Sequence, residues 1–367
     1  MLKVLHVIAG VSASSGGPTS ALMAILQMLE GSDVRNSVVV GLSDPADSRI
    51  LTQVGRSAAD LTAFPRERIS RFSWSLAYTR RVRQLVRAHD VVHIHSMWNW
   101  PTFWAAHVAK QENVPVVFRP AGSLDRFDVL KHERSKSLLG PLFLRRLFEA
   151  PNVFHCTAQR ESDQLVTYGG RAIREILPLP VLGQKMATDL GSELRGKFGI
   201  SADAPVVGFL SRLNYKKGLE LLLPALAQVR VHFPGLHFLL AGAGEKEIER
   251  MVSDLIATHG LADCTHRLGL VEGPDKAAVL AAADVFALPS QNENFGVSVI
   301  EALSAGRPVL VSPEVYITSE IEPSPALVVC ARTVDAIALN LAKLLASVQC
   351  NRAELAVEAE SIWTRHF

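Results

Sequence analysis

Short apolar runs rich in Val, Ile and Leu alternate along this chain with longer stretches of helical period, and the alternation occurs twice, on either side of a proline-broken segment. Strands buried on both faces read as near-continuous apolar runs, and parallel strands need long crossovers, so the pattern predicts parallel sheets covered by helices. In the first half, strands are expected near 2–9, 36–42, 90–95, 114–118, 152–156 and 174–178, with helices between them that include Pro18 to Glu30, Trp74 to Ala88 and Glu133 to Ala150. The second half reads as strands near 205–210, 236–241, 265–268, 284–288, 308–312 and 326–330, with helices near 218–231, 245–258, 275–282, 297–305, 334–347 and 352–365. Between the halves, Leu177-Pro-Leu-Pro180 and Val181-Leu-Gly183 break both periods, because two prolines fix φ and remove donors, so a linker falls there. The fold class expected is α/β, as two doubly wound domains, residues 1–180 and 181–367. They would face each other across a cleft at the carboxyl ends of their strands, where such sheets place ligands.

The composition agrees with two packed cores, since 367 residues with 48% hydrophobic and 20% charged positions are too many for one ordinary domain and too apolar for disorder. Lys plus Arg is 38 and Asp plus Glu is 36, a net of +2, which leaves no overall field to attract nucleic acid. The charge is uneven: residues 1–180 hold 22 basic and 15 acidic groups (+7), and the remainder 16 and 21 (−5). A basic first half reads either as scattered solvated arginines or as a face for an anionic membrane surface. Cys156, Cys264, Cys330 and Cys350 lie far apart with no C-x-x-C pair, which suits free thiols in a reducing compartment. The opening MLKVLHVIAGVSAS has some features of a signal peptide, but its apolar stretch is short and contains His6, so a buried first strand is the better reading. No window supplies the ~18–20 apolar residues that span a bilayer, and the best, Val279 to Pro289, is cut by Asp284. A cytoplasmic location is expected, with peripheral contact at the inner face of the plasma membrane as the one membrane association the charge allows.

Chemistry should then lie in the loops that follow strands. The first strand ends in Gly10-Val-Ser-Ala-Ser-Ser-Gly16-Gly17-Pro18, and Pro18 suits the first position of a helix. This loop reads either as a phosphate cradle at a helix start or as a turn needing glycine. After the first strand of the second half comes Arg212-Leu-Asn-Tyr-Lys216-Lys217-Gly218, with two lysines and a glycine at another helix start, where Arg212 and Lys217 favour an anion. The most informative stretch is Pro289-Ser-Gln-Asn-Glu293-Asn294-Phe295-Gly296, with Glu301 farther on and Gly306 as the stop. Glu293 falls before the helix and Glu301 inside it, so two carboxylates and free amides can meet sugar hydroxyls by acceptance and donation.

On these residues the sequence resembles a GT-B glycosyltransferase of family 4, a retaining group that uses nucleotide-sugar donors, with two Rossmann-like domains. The resemblance covers nearly the whole chain. It rests on P-S-x-x-E-x-F-G-x-x-x-x-E-A and G-x-P-V from Pro289 to Val309, R-L-x-x-K-K-G at Arg212 to Gly218, A-G-x-G-E at Ala241 to Glu245, the Gly16-Gly17 loop and H-x-H at His93 to His95. It implies that Arg212 and Lys217, with amides of Gly16 and Gly17, hold the donor diphosphate. Glu293 would bind the transferred sugar beside amides of Asn294, Phe295 and Gly296, Glu301 would bind the ribose, and Gly242, Gly244, Leu270 and Val271 would contact the base.

His95 would face donor sugar and acceptor, making Glu293 and His95 the catalytic pair of this expectation. Weaker acceptor candidates are His93, Trp98, Arg119, Asp125, Arg126 and Lys131. For these the alternative readings stay open: a histidine satisfied in the core, an aromatic cluster that is packing, a polar loop with a basic helix face. The family implies front-face substitution, in which the departing phosphate oxygen takes the acceptor proton, and a linker that lets the domains close. No D-x-D is present, because Asp44 and Asp47, and Asp125 and Asp128, have the wrong spacing. Fixed cations and helix starts can meet the leaving group's charge instead, so no metal and no cofactor are expected, the nucleotide sugar being a co-substrate.

Three rival readings make other demands on the sequence. A nicotinamide dehydrogenase would want G-x-G-x-x-G, and Gly242-Ala-Gly244 lacks the third glycine. A periplasmic sugar-binding protein needs an export signal. A nucleotide-sugar epimerase of GT-B shape is the nearest alternative. Two departures from the resemblance are the linker, which reads Pro-Leu-Pro-Val-Leu-Gly where relatives commonly show Asn-Gly, and the end of the chain at Phe367, where similar proteins usually continue into a final helix.

Overall fold

The apolar runs of the first half assemble into one seven-stranded sheet. The computed structural model describes residues 1–11, 17–44, 47–65, 75–124, 147–181, 183 and 188–367. Its strands β1 (Leu2–Ile8), β2 (Val34–Ser43), β3 (Asp60–Pro65), β4 (Val91–His95), β5 (Val116–Arg119), β6 (Val153–Cys156) and β7 (Ile173–Ile176) take the order β3-β2-β1-β4-β5-β6-β7. Every pairing is parallel. Helices α1 (Gly17–Met28), α2 (Ser48–Ser57), α3 (Leu76–Arg87), α4 (Trp100–Glu112) and α5 (Gln159–Thr167) lie between them. The strand order reverses between β1 and β4, which puts the switch point of this unit at their carboxyl ends.

The second sheet is built the same way. Strands β8 (Val206–Leu210), β9 (His237–Ala241), β10 (Thr265–Gly269), β11 (Val285–Leu288), β12 (Val309–Val311) and β13 (Leu327–Val329) run in the order β10-β9-β8-β11-β12-β13. All are parallel. Its helices are α6 (Thr188–Lys197), α7 (Leu219–Arg230), α8 (Lys246–Thr258), α9 (Pro274–Ala282), α10 (Val297–Ser304) and α11 (Val334–His366). Non-helical φ/ψ at Asn351 divides α11 into the two segments read from the sequence. The chain separates into two compact units, Met1–Pro180 and Val181–Phe367. Both sheets with their covering helices confirm the doubly wound α/β class.

Strand alternation sorts the first core into two layers. Leu5, Val7, Val39, Val92, Ile94, Val116, Phe118, Phe154 and Cys156 join α3 and α4 in one cluster, whereas Ile8, Val38 and Val40 pack with Leu22, Leu26 and Val54 of α1 and α2 on the other face. Helix caps follow from sequence: Ser75 accepts from the Tyr78 amide at the start of α3, and Asn99 accepts from Thr102 at the start of α4, with Pro101 in its first turn. Asp284, which interrupts the most apolar window, is 2% exposed because it is a strut. It accepts from the Val206 amide at 2.8 Å and pairs with Arg195 at 2.9 Å and Arg352 at 2.5 Å, tying β8 to α6 and α11.

Some boundaries and elements differ from the sequence expectation. The first helix begins at Gly17, one residue before Pro18. Strand β3 was not expected, since it is an edge strand with only Phe64 buried and thus lacks an apolar run. Helix α6 was not expected either: it has no apolar stripe and seats against α9 through Gly191, where a Cβ would fall 2.7 Å from the Ala281 carbonyl carbon. The expected helix Glu133 to Ala150 lies outside the described residues except for its last four. Among the described residues, no helix is long and apolar enough to cross a membrane.

Candidate functional site

In the second unit the loops after β8, β9, β10, β11 and β12 carry the polar residues. The β8 loop runs through Arg212, which is exposed, into a 3₁₀ turn at Tyr215–Lys217 capped by the Asn214 side chain, and then into α7. Gly218 joins turn to helix at φ 77°, and a Cβ there would sit 2.1 Å from the Pro289 carbonyl oxygen, so only glycine lets the β8 and β11 loops lie this close. The β11 loop is pinned along its length. Gln291 donates to the Lys216 carbonyl at 2.6 Å, Glu293 exchanges backbone bonds with Glu314 and Tyr316 at 2.9 Å each, and Arg332 donates to the Pro289 carbonyl at 3.2 Å while pairing with Glu220 at 3.0 Å.

This bracing places Glu293 against Lys217: the ammonium donates to Oε2 in a partly buried ion pair. Two residues singled out for different parts of the donor therefore meet each other. Gly296, at φ 76°, turns the chain into α10, whose start carries the positive end of the helix dipole and whose Val299 amide closes the first turn on the Gly296 carbonyl at 2.8 Å. Phe295 is buried, edge-on to Phe367 at 5.6 Å between ring centroids. Glu301, on α10, is also buried and is paired with Lys276 of α9 rather than directed at Glu293. Lys276 was not singled out from the sequence, because a lone lysine in a helix's first turn is ordinary.

Around the β9 and β10 loops, Gly242 follows β9, and the Gly244 amide donates to Glu249 Oε1 at 2.8 Å. That amide is engaged within the unit. Leu270 and Val271 follow β10, with Leu270 exposed.

The first unit brings together a different chemistry. Since Val39, Val92, Ile94, Val116, Phe118, Phe154 and Cys156 fill one face of the sheet, Asn36, His6, His93, His95, Arg119 and His155 project from the other. His95 Nε2 and His6 Nδ1 are 3.0 Å apart, and His6 Nε2 lies 3.1 Å from Asn36 Oδ1. His6 and His95 stack, with ring planes 20° apart, and the His93 and His95 centroids are 4.2 Å apart. His6, His95 and Arg119 are each at most 1% exposed. Arg119, expected in an acceptor-binding loop, is instead the last residue of β5 with its guanidinium inside the unit. Burial lowers its pKa to about 10 against the raising effect of the Glu161 carboxylate.

Burial also holds these imidazoles neutral. It pushes His6 and His155 down to about 4, with the Arg119 charge acting in the same direction, and drives His93 and His95 well below their ordinary value. His95 Nδ1, His93 Nε2, and Arg119 Nε and Nη2 are buried with no hydrogen-bond partner among the described residues. His6, His93 and His95 also form a group of potential metal ligands, their ligand atoms within 4.8 Å of one another.

Trp98 is partly buried and donates to the Ser123 carbonyl at 2.7 Å. Trp100 and Trp104 stack at 5.3 Å and both donate to Thr79, so that pair belongs to helix packing. Positive φ at Ser96, Trp98 and Ala121, all non-glycine, gathers backbone strain just after β4 and β5. Gly16, Asp125, Arg126 and Lys131 lie outside the described residues. Sequence reasoning missed His6, Asn36 and His155, although a histidine interrupting a buried strand was the available signal.

Comparison with known proteins gives matches in both units. A family described as Glycosyl transferases group 1 matches residues 192–358, and one described as Glycosyl transferase 4-like domain matches residues 16–180. A D-inositol 3-phosphate glycosyltransferase of Saccharomonospora viridis is 34% identical over 162 residues, 41% of this chain and 37% of that protein. A GDP-mannose-dependent monoacylated alpha-(1-6)-phosphatidylinositol monomannoside mannosyltransferase of Corynebacterium glutamicum is 31% identical over 163 residues, 42% of this chain and 41% of that protein. The match thus spans well under two thirds of either relative. Among solved structures, Anabaena Alr3699/HepE in complex with UDP and glucose superposes with a TM-score of 0.78 at 20% identity, over 100% of this chain and 96% of that one.

Proposed function

The chain belongs to the GT-B glycosyltransferases, and on that premise we propose that it moves a sugar, with retention, from a nucleotide-diphosphate sugar to a saccharide or lipid-linked acceptor. The observation that carries this reading is the Lys217–Glu293 pair in the braced β11 loop, where three residues beyond Glu293 the chain turns at Gly296 into a helix start. An anion and a polyol brought there would each find a partner: the diphosphate takes Lys217 and exposed Arg212, and the released Glu293 accepts from sugar hydroxyls. The UDP found with the Anabaena relative supports a nucleotide donor.

In this reading the second unit is the donor side and the first the acceptor side. Glu301 takes the ribose hydroxyls in exchange for part of its bond to Lys276. Asn294, Phe295 and Gly296 offer amides to the transferred sugar, Gly16 and Gly17 to the diphosphate, and the loops at Gly242 and at Leu270 and Val271 flank the base. His95 orients the reacting sugar, with His93, Trp98 and Arg119 as the structural support of that edge.

Charge growing on the departing diphosphate is met by fixed cations and helix amides, which need no reorganisation during reaction, so no divalent ion and no cofactor is required. The phosphate oxygen that leaves takes the acceptor proton on the same face, which preserves configuration. The product would be a surface polysaccharide or related glycoconjugate, with the basic first half resting against an anionic membrane face in the cytoplasm. The product class rests on association with the family, and the membrane contact on the +7 charge of residues 1–180.

The test is a screen of radiolabelled nucleotide sugars with and without acceptor, in chelator. Transfer is expected only with acceptor. Label that isomerises without acceptor would mean an epimerase, and activity that vanishes in chelator and returns with manganese would remove the metal-free mechanism.

A further inference from the structure

The polar face of the first sheet contains a chain of neutral hydrogen bonds whose direction sets the chemistry of its last member. We propose that Asn36 and His6 are positioning residues that hold His95 in the tautomer protonated at Nε2, leaving His95 Nδ1 as a hydrogen-bond acceptor at the carboxyl end of β4.

Each neutral imidazole has one donor and one acceptor nitrogen, so fixing one partner fixes the rest. The Asn36 carbonyl Oδ1, 3.1 Å from His6 Nε2, can only accept, which puts the His6 proton on Nε2. His6 Nδ1 is then a lone pair, and at 3.0 Å it accepts from His95 Nε2. His95 Nδ1 is left without a proton, and it is buried with no partner among the described residues. The opposite direction, with the Asn36 amide donating, would put a proton on His95 Nδ1.

The charge beside the chain selects the first direction. Arg119 is the cross-strand neighbour of His95, and its buried positive charge bears on both His95 and His6. A lone pair left free in that field is favoured over an N–H dipole. The burial that keeps all four histidines uncharged also keeps the chain from being short-circuited by an imidazolium.

The same three imidazoles have metal-ligand chemistry, but two of their nitrogens are committed to each other and the guanidinium beside them opposes a second cation. The relay and a metal site therefore make opposite predictions. In a reaction that passes protons and orients hydroxyls, an acceptor at His95 Nδ1 would take the O–H of a sugar hydroxyl, whereas a donor there would bind the hydroxyl oxygen and direct its proton elsewhere.

The decisive measurement is ¹⁵N NMR of the full chain with labelled histidine, resonances being assigned from His6→Gln and His95→Gln. The expected spectrum has Nε2 protonated and Nδ1 unprotonated on both His6 and His95. Protonated Nδ1 on His95 overturns the proposal, as does a stoichiometric shift of these resonances on adding zinc. For the kinetic arm, His6→Gln is the conservative variant, because its amide oxygen can accept from His95 and its NH₂ can donate to Asn36, whereas His6→Leu breaks the chain.

Retained kcat in His6→Gln with a fall of about tenfold or more in His6→Leu, at unchanged donor KM, is expected. Equal loss in both variants, or none in either, overturns the relay. The kinetic arm rests on the proposed transfer reaction and the spectroscopic arm does not. A spectrum as expected from a protein that transfers no sugar removes the functional reading and leaves the tautomer assignment standing. Should His6→Leu fail to fold, the wild-type spectrum still decides.

Discussion

The two candidate regions solve the problem of polar groups at strand ends in opposite ways. In the second unit the groups are charged and partly open, and they wait paired: Lys217 with Glu293, Lys276 with Glu301. In the first, the imidazoles and Asn36 are neutral, nearly all buried beside the single charge of Arg119, and bound into a chain through Asn36, His6 and His95. A charged pair can be exchanged for ligand bonds, because in the proposed reading a diphosphate would replace the carboxylate on lysine and a hydroxyl the ammonium on glutamate. A buried neutral network cannot be exchanged cheaply, so it is suited to holding one side chain in one state. The difference teaches which region should respond to ligand and which to pH.

The largest effect is expected where the charged region is broken. Glu293→Ala should lower transfer by roughly 10³-fold while circular dichroism and thermal melting stay close to wild type, since the residue lies in a loop pinned by its backbone. Near-normal turnover would remove Glu293 from the reaction. Next, replacing Arg212 and Lys217 together by alanine should cost about 10²-fold or more in kcat and abolish stabilisation by nucleoside diphosphates. In the wild type a nucleotide at ~100 times its dissociation constant should add about 2.7 kcal/mol. Survival of both properties in the double variant would break the assignment of the leaving-group site.

The neutral region sharpens the contrast through pH. His6 and His155 are held near 4 in the folded chain against 6.5 in an unfolded one, so the unfolded state binds more protons between those values. Stability is therefore fully present above about pH 6.5 and is lost as pH falls toward 4, by a few kcal/mol in all. Melting temperature followed from pH 7.5 to 4 should drop across that window, less steeply in His6→Gln; a flat profile would mean the cluster is solvated.

The smallest effect is reserved for Lys276→Met. It leaves the Glu301 carboxylate without its ion partner, so the ligand-free protein should melt lower while the donor KM falls by about threefold, ribose hydroxyls replacing the lost bond. A raised KM would show that Lys276 instead helps to hold the donor.

Much of this was readable before any coordinates. Continuous apolar runs such as Val206–Leu210 announce strands buried on both faces, and all of β8 is buried. Gly218, Gly296 and Gly306 mark turns because their backbone lies at positive φ. What periodicity cannot see are elements without an apolar stripe, such as β3, or helices seated by a glycine, such as α6. Arg119 shows the same limit from the other side. An arginine ending a strand looks solvated in sequence, yet the alternation of β5 turns it inward.

The sequence by itself determined the two doubly wound halves, their division near Pro180 and the placing of Arg212, Lys217 and Glu293 in loops and of Glu301 on a helix, because apolar period, proline and glycine act over a few neighbouring residues. Only the tertiary structure decided which of those charges face each other and that Asn36, His6 and His95, from three different strands, form one hydrogen-bonded line. Pairings of that kind depend on strand order and register, which bring residues up to 89 positions apart within 3.0 Å, and no local property of the chain encodes such a distance.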